Sequence, residues 1–484
     1  MLQLLTLAIA AALAVRFVTL PVGRDLLVVI AAVPWVDVSV DIGVALKISD
    51  VLMIAAIAKY LHLGVFSFRQ LPGIDYFLAF LALSLCAAVY TIEYGPAVPD
   101  FAGGSLTRNG YGRVFITLVK ILIIFGFIAA IISLWRKAEP MRLVRAYVLS
   151  CLALAGLGLV QLAVFIGTGT DIFPIGLLSA SDPEQVREAF VGSGSGKFIR
   201  VSSFGGEPKG LGQSLAVALG LLIAFGRYFA WSWKARLIAG LILATVIFLT
   251  ASASALIVLF VILGAYVFFT RSKRPLDIRT LATVMACIGA LLIAGFYVFA
   301  DSFDLSRRTI LTGGSVAESF FLRSVSGLQL DDADHLTMET FVDDAPMLLF
   351  GHGLGLSHHY SHAHIPAFAR YYLEGSIIPP KSGVTYFLGN GGLIGTVFIF
   401  LMLLQFIPSS RLATRARSPM ATTLICRYQA ISIGLVTALL LRLYTFEAIW
   451  IVLATGIVFQ RQLADSLPSA PARRATQRPG YGRA

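Results

Sequence analysis

Six of the seven histidines in the chain lie within one polar segment, residues 301–383. They are His335, His352, His358, His359, His362 and His364. Histidine accepts and returns a proton near neutral pH, so this group contains candidates for a general base. His358 and His362 would share one face of a helix, a spacing that zinc ligands also use. No third ligand such as a cysteine lies nearby, so we favour a polar or substrate-facing role over a metal site.

Arginines in two polar segments could bind phosphate oxygens. Arg307, Arg308 and Arg323 stand early in residues 301–383, and Arg200 belongs to a separate polar segment. Guanidinium groups bind phosphate in a fixed bidentate geometry, so arginines from two segments could clamp a diphosphate. Ion pairing with local aspartates would equally explain the first three, and ordinary interfacial charge would explain Arg200.

Lys120 lies well inside an apolar run, residues 114–135. A charge within a membrane-spanning segment is costly and indicates a functional site by default. Two alternatives stay open: the ammonium faces a polar cavity, or it extends along its apolar stem to the nearer membrane surface.

Residues 350–355 read Phe-Gly-His-Gly-Leu-Gly, which by itself is similar to a nucleotide-binding loop. The surrounding sequence does not fit that reading, because no strand precedes the glycines and no Lys-Ser/Thr follows them. The chain also lacks a polar domain of the kind that binds nucleotides, which argues against an ATP-driven pump.

The elements that must position these residues are membrane helices. The chain has 484 residues, of which 57% are hydrophobic and 13% are charged. Soluble chains are about 45–50% apolar and about 25% charged, so this chain cannot bury its apolar residues in one water-soluble core. At about 20 residues for each span, the composition predicts an all-α polytopic membrane protein with about 12–13 helices. The apolar runs are 45–62, 75–92, 114–135, 143–167, 210–229, 234–252, 253–270, 278–300, 384–407, 421–443 and 448–463, with one or two more in the first 40 residues.

The distribution of charge predicts which side of the membrane each loop occupies. The net charge of +12 does not indicate nucleic-acid binding, because the basic residues form short clusters between apolar runs, as cytoplasmic loops do. These clusters are 136–145, 234–236, 271–274, 411–417 and the tail after Arg461. The segments 93–113, 168–209 and 301–383 therefore lie outside. The last has ten acidic and five basic residues, a net charge of −5, which leaves +17 for the rest of the chain.

These assignments divide the chain into four parts. Residues 1–300 hold the N-terminal membrane helices, with the external loop 168–209 among them. Residues 301–383 form a large external loop, and residues 384–463 hold the C-terminal membrane helices. Residues 464–484 are rich in proline and arginine, which predicts a disordered cytoplasmic tail.

The order of several motifs resembles the superfamily of bacterial O-antigen ligases and O-antigen polymerases, which are multi-helix membrane glycosyltransferases. Members of that family carry an arginine and often a Glu-Pro pair before a middle helix, and arginines early in one large external loop. Within the loop they carry a Pro-Leu-hydrophobic-Gly-x-Gly-x-Gly phrase, and a Gly-Leu-Ile-Gly phrase begins the next helix. The matching residues here are Arg200, Glu207-Pro208, Arg308, Arg323, residues 346–355 and Gly392-Leu393-Ile394-Gly395.

The resemblance implies a GT-C-like fold and an enzyme that uses an undecaprenyl-diphosphate-linked glycan as donor, without metal or other cofactor. It implies that Arg200, Arg308, Arg323 and Lys120 bind the diphosphate. It leaves the acceptor side to a histidine of the cluster or to Lys381, with candidates His352, His362 and His364. Glu207, Gly353 and Gly355 would support the site. The expected location is the bacterial inner membrane with the active site facing the periplasm, and the partners are the bilayer, the lipid-linked glycan and other polysaccharide-assembly proteins such as a chain-length regulator. No nucleic-acid partner is expected.

Two departures from the family pattern affect the choice of activity. Members often carry Ser-Arg near position 250, where this chain has residues 250–254 without an arginine. Ligases carry His-Asn about eleven residues before the Gly-Leu-Ile-Gly phrase, where this chain has Lys381-Ser382-Gly383. Together with the Glu-Pro pair, the second departure favours a polymerase over a ligase. A secondary transporter or flippase is the more distant alternative, and no evident repeat supports it. A structural membrane subunit is a further alternative, which would tolerate loss of Arg200 and Arg323 together.

Overall fold

The computed structural model describes residues 12–95, 110–169, 190–205, 208–271, 341–356, 382–409, 419–442 and 447–466, apart from 13, 14, 18, 37, 42–44, 194, 195, 251 and 342–344. The structure is mostly helical, which confirms the predicted helical class in its coarse form. Two short antiparallel hairpins accompany the helices: β1 (Ser39–Asp41) with β2 (Ala45–Lys47), and β3 (Phe190–Ser193) with β4 (Gly196–Ile199).

The structure gives the bounds of twelve α-helices, and most coincide with the apolar runs. They are α1 (Asp25–Ala32), α2 (Ile48–His62), α3 (Ile74–Tyr94), α4 (Gly110–Ser133), α5 (Pro140–Thr168), α6 (Pro208–Phe225), α7 (Trp233–Leu249), α8 (Ala253–Arg271), α9 (Ala345–Phe350), α10 (Gly383–Gln405), α11 (Pro419–Arg442) and α12 (Glu447–Ser466).

Six of these helices, α3, α4, α5, α6, α10 and α11, are long and apolar enough to cross a membrane. The protein is therefore a multi-pass membrane protein by helix length and composition. The predicted total of 12–13 spans stays a prediction, because the run 278–300 lies outside the described residues. Three predicted spans are shorter than expected. Helix α7 has 17 residues, and the apolar part of α8 is Ser254–Thr270. The run 45–62 begins as a strand, so α2 has only 15 residues. At 1.5 Å per residue it is about 22 Å long, less than the ~30 Å hydrocarbon core.

Local sequence explains where several helices begin and end. The side chain of Asp50 accepts a hydrogen bond from the Lys47 backbone N–H (3.1 Å), which closes the first turn of α2. Helix α5 begins at Pro140, whose missing N–H is not needed in the first turn, and is capped after Thr168 by Gly169 in the left-handed conformation.

Helices α6 and α11 are the most buried of the six long helices. Helix α8 packs against both of them, and α6 also contacts α5 and α7. Helix α12 packs against α4, α5 and α11, while α3 pairs with α10. The core is thus a bundle in which each of the six long helices contacts at least two other helices.

Polar contacts identify one end of the bundle as the basic end. Gln462 donates to the carbonyls of Trp135 and Ala138 (both 2.6 Å), and Arg461 donates to Gln70 (2.6 Å to the side chain and 2.8 Å to the backbone). The predicted cytoplasmic cluster 136–145 lies at this end. The residues that begin α10 and α12 lie at the opposite end, the predicted periplasmic end, in agreement with the charge pattern.

A buried ion pair secures the N-terminal segment to α2. Lys59 Nζ lies 2.7 Å from Asp25 Oδ2, and the two side chains are 8% and 0% exposed. Lys59 also donates to the carbonyl of Leu20 (2.6 Å), and Asp25 Oδ1 accepts from the backbone of Gly23 and Leu26. Both charges are therefore surrounded by partners.

Replacing Lys59 with methionine should destabilise the protein by about 3–5 kcal/mol, because it leaves the Asp25 carboxylate buried without its counter-ion. Thermal unfolding of the purified protein in detergent measures the loss. The double variant Asp25→Asn/Lys59→Met keeps an oxygen for the two backbone donors without a buried charge, and should regain part of the stability. Equal losses in the single and double variants would contradict this account.

Candidate functional site

The described residues include five of the predicted site residues: Arg200, Lys120, His352, Gly353 and Gly355. The others lie outside the described residues, and their roles stay predictions. They are Arg308, Arg323, His362, His364, Lys381 and Glu207.

The glycine segment, residues 345–356, comprises α9 and the loop that follows it. Gly351, Gly353 and Gly355 all have positive φ, of 77°, 96° and 74° respectively, a region that favours glycine. Gly353 must also be glycine because it lies very close to α3, where a Cβ on Gly353 would overlap the backbone of Ala88. The alternate glycines therefore allow the loop to lie directly against the helix backbone.

Hydrogen bonds join the glycine segment to α3 and α10. The backbone N–H of His352 donates to the Gly389 carbonyl (2.8 Å), and that of Leu354 donates to the Ser84 carbonyl (3.0 Å). The N–H of Gly355 donates to Asn390 Oδ1 (2.7 Å). Non-helical backbone that is buried in a membrane protein needs partners for its polar groups, and these bonds supply partners for three N–H groups of the glycine segment.

Helix α10 is interrupted where the glycine segment meets it. Gly392 has φ 61° and ψ −165° inside an otherwise helical run. A Cβ at this position would overlap the backbone of Leu349 in α9. The first glycine of the Gly-Leu-Ile-Gly phrase is thus needed for contact with the other glycine phrase, about 40 residues earlier in the chain.

His352 lies inside this packed unit. Its side chain is only 1% exposed, and its ring stacks on Phe341 with centroids 5.1 Å apart and an interplanar angle of 13°. Such burial gives His352 a packing role and leaves little room for an acceptor sugar beside it. Its predicted catalytic role stays a prediction, and the other two histidine candidates, His362 and His364, lie outside the described residues.

Arg200 lies at the end of the bundle opposite the basic end. Its Nε donates to the backbone carbonyl of Thr250 at the end of α7 (3.0 Å), and the Val201 N–H donates to the Leu249 carbonyl (3.2 Å). Arg200 is half-buried. Although residues 250–254 contain no arginine, the fold brings the guanidinium of Arg200 to the same place.

Gln161, which was not among the predicted site residues, holds the turn that follows Arg200. The side chain is fully buried, and its Oε1 accepts from the backbone N–H groups of Ser202 (3.1 Å) and Ser203 (2.9 Å). Ser203 has a positive φ of 50°, uncommon for a residue other than glycine. A signal was present, since Gln161 is a polar residue within the apolar run 143–167.

We expect Gln161→Met to lower the thermal stability, because two buried N–H groups lose their acceptor at about 1–3 kcal/mol for each. The neighbouring change Leu162→Met is the control, since an apolar exchange of similar volume costs less than about 1.5 kcal/mol. The unfolding temperatures of the two purified variants test the prediction. A Gln161→Met protein as stable as the control would show that the turn does not depend on this side chain.

Lys120 belongs to a charged cluster formed by Lys47, Asp50, Lys120 and Glu447. Lys47 Nζ lies 2.7 Å from Glu447 Oε1, with side chains 30% and 10% exposed. Lys120 lies within electrostatic range of the other three residues. Asp50 belongs to α2, and Lys47 directly precedes that helix; Lys120 belongs to α4 and Glu447 to α12. Lys47 and Glu447, which contact each other, are 400 positions apart in the chain.

The charged cluster is far from the basic end. From Glu447 to Gln462, which contacts the basic end, α12 rises by about 22 Å at 1.5 Å per residue. The same rise applied to α4 places Lys120 about 20 Å from Ser133. The cluster therefore lies in the outer part of the predicted membrane, on the same side as Arg200.

Access differs among the four residues. Asp50 and Glu447 are each only 7% exposed, whereas Lys120 is exposed. Within the described ranges, no carboxylate lies within 4 Å of Lys120 Nζ. Lys120 is therefore the one residue of the cluster that is both exposed and without a close carboxylate, whereas Lys47 contacts Glu447. The sequence predicted Lys120 but missed Lys47, Asp50 and Glu447, which stand at the edges of apolar runs.

Two features thus define the candidate site. The glycine segment and α10 form one interlocked unit, and the charged cluster and Arg200 lie towards the same end of the bundle. A comparison with protein-family models finds no match for this chain, and a comparison with curated proteins finds none either.

Proposed function

We propose that this protein is a polysaccharide polymerase that joins undecaprenyl-diphosphate-linked repeat units at the periplasmic face of the bacterial inner membrane. The observation that carries the proposal is the interlocking of two glycine phrases, residues 346–355 and 392–395. These are phrases through which the sequence resembles the O-antigen ligase and polymerase superfamily.

The contacts supply a physical reason for the two phrases to occur together. Gly351 approaches Gly392 so closely that a Cβ on Gly351 would lie 2.6 Å from the Gly392 nitrogen. Gly395, the last residue of the second phrase, packs against Phe80 of α3, where a Cβ would lie 3.2 Å from the ring. Each phrase needs glycine because the other phrase occupies the adjoining space. The two phrases therefore form one structural unit, which supports the resemblance to the family.

The proposed chemistry requires few protein groups. An acceptor hydroxyl attacks the anomeric carbon of the donor, the bond from that carbon to the phosphate oxygen breaks, and the lipid diphosphate leaves with its electron pair. A base takes the hydroxyl proton, and cations stabilise the charge that develops on the diphosphate. Lys120 and Arg200 supply positive charge on the proposed side of the membrane. The resemblance implies inversion at the anomeric carbon.

A ligase that transfers the finished glycan to a lipid or protein acceptor is the second candidate. Ligases of the family carry His-Asn where this chain has Lys381-Ser382-Gly383. Ser382 caps α10, since its Oγ accepts from the Thr385 N–H (3.1 Å). Because this chain has a helix-capping serine where ligases have the His-Asn pair, we favour the polymerase over the ligase.

The decisive experiment is incubation of the purified full-length protein, in liposomes, with a lipid-linked repeat unit. Dimers and longer chains on the lipid carrier, resolved by electrophoresis or mass spectrometry, would support polymerisation. Transfer of single units only to an added lipid acceptor would identify a ligase instead. Movement of the lipid-linked unit across the bilayer without a new glycosidic bond would overturn the enzyme proposal in favour of a flippase.

A further inference from the structure

An apolar groove lies between α5 and α7. Its volume is about 450 Å³, and its lining is almost entirely apolar. The residues that matter here are Leu152, Gly156, Leu159, Trp231, Ala239 and Ile242. Neither the proposed chemistry nor the charged cluster uses this groove.

The end of the groove nearest the basic end carries a cation beside an aromatic ring. The guanidinium of Arg145 lies 5.9 Å from the ring centroid of Trp231, which itself lines the groove. Lys234 stands three residues after Trp231, and both basic side chains are exposed. Within the described part of the chain, neither Arg145 nor Lys234 has an acidic partner within 4 Å. Tryptophan with an adjacent arginine is typical of the membrane–water interface.

The dimensions match one lipid leaflet. Arg145 and Gly156 are eleven residues apart on α5, a rise of about 16 Å, close to half of the ~30 Å hydrocarbon core. An acyl chain in the groove would therefore bring the phosphate of its headgroup to the level of Arg145. A positively charged interface favours an anionic headgroup over a zwitterionic one.

We propose that this groove binds an anionic glycerophospholipid of the leaflet at the basic end, with an acyl chain along α5 and α7 and the phosphate at Arg145. The apolar lining would hold the acyl chain, and the exposed cations Arg145 and Lys234 would attract the anionic headgroup. The site is separate from the proposed glycosyl-transfer site, which lies towards the opposite end of the bundle, and does not depend on that function.

Gly156 provides a sharp test. No atom lies within 4 Å of a Cβ placed on Gly156, so Gly156→Leu fills the groove without displacing its neighbours. Gly167→Leu is the matched control, because Gly167 lies on the same helix with equally open space around its Cβ. Arg145→Gln removes the headgroup contact and leaves the groove unchanged.

The measurement is the unfolding temperature of the full-length protein in neutral detergent, titrated with phosphatidylglycerol or phosphatidylcholine. Ligands that bind the folded state raise this temperature in a saturable way. We expect such a rise for the wild type and Gly167→Leu with phosphatidylglycerol, a much smaller rise with phosphatidylcholine, and loss of most of the rise in Gly156→Leu and Arg145→Gln.

Three results would overturn the proposal. One is a rise in Gly156→Leu equal to that of the control, and another is an equal rise with the two lipids. The third is a lipid-independent dimer that Gly156→Leu dissociates, since a second copy of the chain would then occupy the groove. Mass spectrometry of lipid retained by the purified protein provides an independent readout that does not depend on stability.

Discussion

Changing Lys120 to methionine is expected to slow glycan bond formation by about 10²–10³-fold, the usual effect of removing one preorganised donor from a developing negative charge. Lys120 is exposed and, in the described ranges, has no carboxylate within 4 Å. When Lys120 is lost, the buried carboxylates of Asp50 and Glu447 keep Lys47 as their counter-charge. Rates of chain extension in liposomes measure the effect.

Three controls accompany this experiment. Lys120→Arg keeps the positive charge and should restore a large part of the rate. Lys137→Met removes an exposed lysine at the basic end and should leave the rate unchanged. The unfolding temperature of Lys120→Met should stay close to that of the wild type. An active Lys120→Met enzyme would exclude Lys120 from the diphosphate site, even if polymerisation itself is confirmed.

The second large effect is expected at Gly353. Gly353→Ala should prevent the glycine segment from packing against α3, because the new Cβ overlaps the Ala88 backbone and the position has a φ of 96°. Backbone atoms of a packed helix cannot move aside as a flexible side chain can. We expect loss of activity and exposure of the segment to added protease.

Gly64→Ala separates the effect of backbone strain from the effect of the overlap with Ala88. Gly64 also has a positive φ, of 66°, but nothing lies within 4 Å of a Cβ placed there. This variant therefore tests backbone strain alone, at about 1–2 kcal/mol, and should remain active. Equal damage from both substitutions would mean that strain, rather than the contact with Ala88, makes glycine necessary at Gly353.

Hydropathy alone predicted most of the helices to within a few residues. Helix α4 was expected near 114–135 and occupies Gly110–Ser133, and α11 was expected near 421–443 and occupies Pro419–Arg442. Long apolar runs are informative because a spanning helix must satisfy its own backbone groups and cover about 30 Å of hydrocarbon. The run 45–62 was misjudged at its start, because hydropathy does not distinguish the strand Ala45–Lys47 from the first turn of a helix.

The candidate site was less predictable from the sequence. Lys120 was identifiable because a single charge within an apolar run is conspicuous by itself. Lys47 and Glu447 lie at the edges of their runs, where charges are ordinary, and their significance arises only from their contact across 400 residues of sequence. Gln161 is a similar case, because the backbone donors that it meets belong to a distant segment. Arg200 was predicted as a site residue, but its contact with the Thr250 carbonyl was not.

The sequence by itself determined the membrane class, the positions of most helices, the predicted side of each loop and the glycines that resemble a glycosyltransferase family. These properties follow from hydropathy, charge and residue type, which are local. Only the tertiary structure decided that the glycine phrases interlock, that His352 is buried against Phe341, and that Lys120 joins Lys47, Asp50 and Glu447. Such outcomes depend on which helices become neighbours, and helix packing is set by side-chain shape over many contacts at once rather than by any one segment.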